Sequence, residues 1–140
     1  NRGAYFRLDD DHVNVIAPSK RTMHTLMPAM AFREGKPWLV FGTMGGDVQP
    51  QIHLQFLNRV IDDGTDIQDA IDAPRWGVSP TDWSVAAEVA LGGELMQEMT
   101  DRGHSVSKGG PHGHAHAIEL GGFGYAAGRY PRAEGAALGY

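Results

Sequence analysis

The sequence predicts an α+β fold, and three observations carry that reading. Trp38-Leu39-Val40-Phe41 follows Ala29-Met30-Ala31-Phe32 across the polar, glycine-containing turn Arg33-Glu34-Gly35-Lys36-Pro37, the pattern of a β-hairpin. Ile52, Phe56 and Val60 then recur at i, i+4 and i+8, with Leu57 and Ile61 beside them, which is the stripe of an amphipathic helix. Strand-like and helix-like segments alternate to the end with no internal repeat and no linker, so one unit covers residues 1–140.

Taken in order, residues 4–17 read as short strands around the acidic turn Asp9-Asp10-Asp11. The hairpin comes next. Its second strand is apolar throughout, which suits a sheet covered on both faces. It runs into Gly42-Thr43-Met44-Gly45-Gly46-Asp47. A helix should start near Asp47, a suitable N-cap, with Pro50 in its first turn and Gly64 at its end. Asp66 opens a short second helix that buries Ile67, Ala70 and Ile71 and stops at Pro74. Val85 to Leu91 reads as a strand, and Glu94 to Arg102 as a third helix with Leu95 and Met99 inward and Gly103 as its stop. Ser105 to Ser107, His114 to Leu120 and Phe123 to Ala127 read as the last strands. The tryptophans Trp38, Trp76 and Trp83 are expected in the core or at its rim.

Composition narrows the function classes. The 19 glycines in 140 residues are about 14%, roughly double the usual share, and without a G-X-Y period they signal turns. The net charge is −5 and no basic run exceeds Lys20-Arg21, which argues against nucleic acid as a partner. No uncharged apolar stretch approaches the ~18 residues of a membrane-spanning helix. The absence of cysteine removes disulfides, thiolate nucleophiles and cysteine-type zinc sites, and leaves the compartment open. A chain that starts Asn1-Arg2-Gly3-Ala4 reads as a processed product or an excised piece.

The sharpest local feature is strand, Gly45-Gly46, helix. Paired glycines let the backbone turn tightly, and their N–H groups ahead of a helix can converge on a negative oxygen. This suits an oxyanion hole, or simply an ordinary strand-to-helix turn. A phosphate site fits less well, since no Walker lysine follows and the spacing is not G-x-G-x-x-G. His112, His114 and His116 alternate, so a strand would project all three from one face, as a binding surface or a polar one. Their spacing matches no standard zinc site. His24 beside Thr25 can hydrogen-bond a ligand or cap a turn. No G-x-S-x-G occurs, so no serine elbow is present.

In this order the segments resemble the small subunit of the gamma-glutamyltransferase family. The residues that carry the resemblance are Lys20-Arg21-Thr22-Met23-His24-Thr25-Leu26-Met27-Pro28, Gly42-Thr43-Met44-Gly45-Gly46 and Ala70-Ile71-Asp72-Ala73-Pro74-Arg75. Gly113-His114-Ala115-His116-Ala117-Ile118 and the tail Glu134-Gly135-Ala136-Ala137-Leu138-Gly139-Tyr140 extend it. The resemblance implies an Ntn-hydrolase fold, a four-layer αββα sandwich completed by a large subunit from the same precursor. It also implies autoprocessing that frees a threonine nucleophile whose own α-amine is the base, with no metal or organic cofactor. A γ-glutamyl or related acyl amide is the implied substrate, and Gly45 and Gly46 the implied oxyanion donors.

Three departures shape the expectation. Asn1 aligns downstream of the family's threonine, so the chain alone is expected to be inactive. Arg2 stands where the family has glutamine, and Tyr5 where it has the aspartate that holds the substrate's α-ammonium. A phenol carries no fixed charge near neutral pH, and losing a charge-assisted hydrogen bond removes on the order of 1.5–3 kcal/mol. His24-Thr25 replaces the serine pair that holds the substrate carboxylate, keeping one hydroxyl and adding a titratable donor. Substrate contacts are therefore assigned to Arg2, Tyr5, His24 and Thr25, and the chain is placed in an acylase-like or uncharacterised branch. The competing expectation is a non-catalytic module that binds through the Gly45-Gly46 nest or the His112/His114/His116 face. Half a sandwich is further expected to self-associate through its uncovered faces.

Overall fold

The 29–41 segment folds as the hairpin its pattern predicts. In the computed structural model, which describes residues 2–110 and 113–139, β1 (Ala29–Arg33) and β2 (Lys36–Gly42) pair antiparallel. The register slips between Ala31 and Phe32, so Trp38 is the extra residue of a bulge. β6 (His116–Gly121) pairs antiparallel with β2, and β7 (Gly124–Gly128) with β6, giving the order β1-β2-β6-β7.

Alternation along these strands sorts the sheet into two faces. Leu39, Phe41 and Ala117 turn inward, where Ile52 and Phe56 of α1 (Gln49–Ile61) and Ile67, Ala70 and Ile71 of α2 (Ile67–Asp72) cover them. Phe41 sits at the centre, its ring centroid 5.4 Å from Phe56 and 5.0 Å from the edge-on ring of His53. Met30, Phe32 and Ile118 occupy the other face and are about half exposed. β2 is thus covered on one side only within this chain, a departure from its all-apolar reading.

α1 carries the predicted stripe, with Ile52 and Phe56 buried, Val60 and Leu57 packed against the core, and Ile61 exposed at the end. Its start differs from the prediction. Asp47 lies inside a one-turn 3₁₀ helix (Gly46–Val48), and α1 begins at Gln49 with Pro50 in its first turn. The Asp66 carboxylate caps α2 by accepting from the Gln68 N–H at 2.8 Å, as its position implies.

A second sheet holds β3 (Trp76–Val78), β4 (Val85–Ala87) and β5 (Val106–Lys108). β3 pairs antiparallel with β4, and β5 parallel with β4. The expected strand from Val85 ends at Ala87, and Val89–Leu91 is a 3₁₀ turn. α3 (Gly93–Asp101) buries Met96 and leaves Leu95 exposed. In so short a helix either Leu95/Met99 or Met96/Met99 makes an apolar pair, and the packing partner decides.

Two carboxamides of α1 stand in for a strand beside β3. Gln55 donates to the Trp76 carbonyl at 2.8 Å and accepts from its N–H at 3.1 Å. Gln51 makes the same pair of bonds with Val78, at 2.9 and 2.7 Å. Gln68 repeats the device with Arg129, at 2.9 Å each way.

The expected strands within residues 4–17 do not form. Arg2–Tyr5 is a 3₁₀ turn, and Arg7 meets Val15 in a single parallel bridge. Leu8 and Val13 point into solvent, so no apolar face repays the ordering of a strand here. No helix among the described residues is long and apolar enough to cross a membrane.

Candidate active site

The turn between β2 and α1 has the backbone that only glycine adopts readily. Gly45 has φ 147° and ψ 9°, and Gly46 has φ 57°. A side chain at either position would be held in a conformation that L-residues rarely take. The turn leads directly into the 3₁₀ turn and α1, so the peptide groups at this corner lie at the positive end of a 13-residue helix.

Gly113 holds the approach to this turn. A Cβ on Gly113 would lie 2.7 Å from the Met44 carbonyl oxygen, 2.7 Å from Thr43 Oγ1 and 2.6 Å from Ile52 Cδ1. Only a bare α-carbon lets the segment before β6 pack this closely on Thr43-Met44. A shallow cavity of about 440 Å³ opens at the same corner, lined by Gly42, Thr43, Met44, His114 and His116.

The segments bearing the other candidates are tied to this corner through backbone carbonyls. Thr22 Oγ1 donates to the Arg2 carbonyl at 2.7 Å, linking the first 3₁₀ turn to the 20–25 segment. Gln49 Nε2 donates to the Thr25 carbonyl at 2.9 Å and to the Gly46 carbonyl at 3.2 Å. Arg2 and Tyr5 therefore share one turn, His24 and Thr25 the next segment, and Gly45 and Gly46 the third. His24 is exposed, Thr25 and Tyr5 are half-buried, and Arg2 is exposed.

His114 and His116 line the cavity at this corner together, although only His116 lies within a strand. His116 opens β6 opposite Gly42. His114 precedes the strand and stacks on Tyr130, with centroids 5.0 Å apart and planes 14° from parallel. His112 lies outside the described residues. Of the expected row, His116 lies in the strand and His114 just ahead of it, because β6 starts at His116. Among the described residues no group of three His, Cys, Asp or Glu could hold a metal ion.

Tyr130 is itself a hub. The guanidinium carbons of Arg75 and Arg132 lie 5.1 and 5.2 Å from its ring centroid, and Arg132 pairs with Glu88 at 3.0 Å. Arg75 is buried and donates to the Ile71 carbonyl at 2.6 Å. Burial pulls its pKa below the usual arginine value, partly offset by Tyr130 and Glu88. The Ala-Pro-Arg box thus ties the C-terminal segment to α2 through Arg75, with Tyr130 between it and His114. His53 is also buried, and desolvation lowers its pKa.

Gln49 and Gly113 escaped the sequence reading. Gln49 had a signal: it stands in phase with the apolar stripe at Ile52, His53 and Phe56, yet is polar. A polar residue on a buried face marks a hydrogen bond waiting for partners. Gly113 had one as the first residue of the Gly113–Ile118 segment that resembles the family, but its contact on Thr43-Met44 joins distant segments and could not be read locally.

Comparison with known proteins agrees with this architecture. The gamma-glutamyltranspeptidase family model matches residues 1–140. The glutathione hydrolase-like YwrD proenzyme of Bacillus subtilis is 40% identical over 99% of this chain and 28% of its own length. The oxamate amidohydrolase proenzyme of Klebsiella pneumoniae is 36% identical over 100% of this chain and 28% of its own length. This chain therefore spans little more than a quarter of these relatives. Among solved structures, cephalosporin acylase from Bacillus halodurans superposes with a TM-score of 0.83 at 36% identity, over 94% of this chain and 25% of that one. Gamma-glutamyltranspeptidase from Pseudomonas nitroreducens gives 0.81 at 25% identity, over 93% and 69%. The α+β arrangement of sheet and covering helices is that of these Ntn hydrolases. From its first residue to its last, the chain belongs to the gamma-glutamyltranspeptidase family.

Proposed function

We propose that this chain is the C-terminal part of the small subunit of an N-terminal-nucleophile amidohydrolase, paired with a large subunit from the same precursor. The observation that carries the reading is the left-handed Gly45-Gly46 turn at the head of α1, hydrogen-bonded through Gln49 to the Thr25 segment. A threonine N-terminal to this segment attacks the acyl carbonyl, and its α-amine takes the hydroxyl proton. The Gly45 and Gly46 N–H groups receive the charge that develops on the carbonyl oxygen. The amine leaves with that proton, and water or an amino acid then takes the acyl group.

Thr25 and His24 hold the carboxylate of the acyl donor, while Arg2 and Tyr5 border the same end, where a γ-glutamyl donor carries its α-ammonium. With Tyr5 in place of a carboxylate, an α-ammonium on the donor gains little. The preferred substrates are thus acyl amides that carry a carboxylate and need no γ-glutamyl ammonium. A relative named for oxamate, which has a carboxylate and no ammonium, supports this choice.

The test is the full-length precursor, assayed for self-cleavage and for hydrolysis of glutaryl-4-nitroanilide and γ-glutamyl-4-nitroanilide. Processed enzyme should cleave the glutaryl amide at least as well. Gly46→Ala is the control, since its Cβ meets nothing within 4 Å, it keeps the N–H, and only backbone strain of about 1–2 kcal/mol is added. Gly46→Pro is the decisive variant, since it removes that N–H, and it should lose roughly 10²–10³ in kcat beyond the alanine variant. Turnover by Gly46→Pro equal to that of Gly46→Ala would remove the oxyanion role.

A further inference from the structure

We propose that Gln49 is a positioning residue that sets the spacing between the oxyanion turn and the substrate-holding segment, and so the length of acyl group accepted. The inference rests on the amidohydrolase reading above. Gln49 is 5% exposed, and its Nε2 reaches the Thr25 carbonyl at 2.9 Å and the Gly46 carbonyl at 3.2 Å. A carboxamide nitrogen has two N–H groups, and here each has one carbonyl to serve. No other uncharged side chain of that length offers two donors from one atom.

Each bond fixes a peptide plane. Holding the Gly46 carbonyl adds a second bond to the peptide that follows the left-handed glycine, which the Gln49 main-chain N–H already engages, and so stiffens the turn. Holding the Thr25 carbonyl fixes the peptide that follows Thr25 and so the position of the α-carbon from which the hydroxyl projects. Both are referred to one atom, whose own position is secured from α1. Ile52 and Phe56 anchor that helix in the core, and Gln51 and Gln55 anchor it on β3. A donor gripped by its carboxylate near Thr25 and by its carbonyl at Gly45-Gly46 spans this fixed interval. The interval therefore selects the number of methylenes between the two groups. A displacement of about 1 Å at a reacting centre reduces rate roughly a hundredfold, so a loosened interval weakens both rate and length selection.

The experiment uses processed full-length enzyme and two probes one methylene apart, glutaryl- and succinyl-4-nitroanilide. Wild type should discriminate between them by roughly 10–200-fold in kcat/KM. Gln49→Met keeps the shape and removes both donors. It should lower kcat for the preferred probe by roughly 10–100-fold and bring the ratio between probes towards one. Gln68→Met, which breaks an equivalent carboxamide clamp remote from the turn, should lower the melting temperature and keep the ratio. If Gln49→Met does not assemble, Gln49→Asn, which retains the amide but is too short to reach both carbonyls, takes its place with the same expected collapse. An unchanged ratio in the assembled Gln49 variant would overturn the positioning role alone. Failure of processed wild type to cleave either probe would instead overturn the amidohydrolase reading beneath it.

Discussion

The side chain of Gln55 and the main chain of Trp76 exchange two hydrogen bonds, of 2.8 and 3.1 Å, as though the carboxamide were a residue of a neighbouring strand. Gln51 does the same one helical turn earlier with Val78. The geometry matches because four helical residues advance about 6 Å and two strand residues about 6.6 Å. Gln55→Met strands a partly buried N–H and C=O, each worth about 1–3 kcal/mol when unpaired. A loss of about 2 kcal/mol is expected in denaturant unfolding of the assembled protein, and a loss below about 0.5 kcal/mol would show that water replaces the side chain.

His53 makes stability depend on pH. Burial holds its pKa below the ordinary 6.5, so the folded state keeps the ring neutral while the unfolded chain binds a proton as pH drops through 6.5. Its contribution is complete above that value and is lost as pH falls below it. The sign follows from the unfolded state binding more protons. His53→Leu should flatten the fall in denaturation midpoint between pH 7.5 and 5, and an unaltered slope would assign the pH effect to other groups.

Gly113→Ala should be damaging although nothing near it is charged. Its methyl would meet the Met44 carbonyl oxygen and Thr43 Oγ1 at 2.7 Å, from a backbone with φ 142°. Overpacking of this kind costs about 1–3 kcal/mol, and relief requires the Thr43-Met44 strand end to move. Amide hydrolysis should therefore fall further than the melting temperature alone would explain, which paired activity and thermal-melt measurements can separate.

Much of this was legible in the sequence because it is local. The hairpin at 29–41, the Ile52/Phe56 stripe and the Asp66 cap each depend on residues a few positions apart, and each forms where its pattern places it. β3 was missed because Trp76-Gly77-Val78 has no strand signature of its own and is held largely by Gln51 and Gln55. Residues 4–17 misled because Leu8, Val13 and Val15 look strand-like, yet Leu8 and Val13 have no surface within this chain to cover them. At the site, Gly45-Gly46 stands out by its place between strand and helix, but its residues alone fit an ordinary turn as well as an oxyanion hole, and only the family resemblance favours the latter. Gln49 could not be assigned partners, since the two carbonyls it serves belong to segments that only the folded chain brings together.

The uncovered face of the larger sheet makes a fourth prediction. Met30, Phe32 and Ile118 are about half exposed there and contribute little to the core of this chain. Met30→Asp should leave the secondary structure of the isolated chain intact and reduce its self-association in sedimentation. On the two-subunit reading proposed above, the same charge in the intact precursor should block pairing with the large subunit and self-cleavage with it. A precursor that assembles and cleaves normally with Met30→Asp would mean that this face is not where the large subunit sits.

The glutamine rungs beside β3 have one more consequence. β3 is the outer strand of a small sheet, and an outer strand with free N–H and C=O groups is a template on which another chain can grow. Here the outward groups of Trp76 and Val78 are already taken by Gln55 and Gln51. The helix blunts that border without a proline or a lysine, so the three-stranded sheet resists fibril-like extension from the β3 side for as long as α1 stays docked.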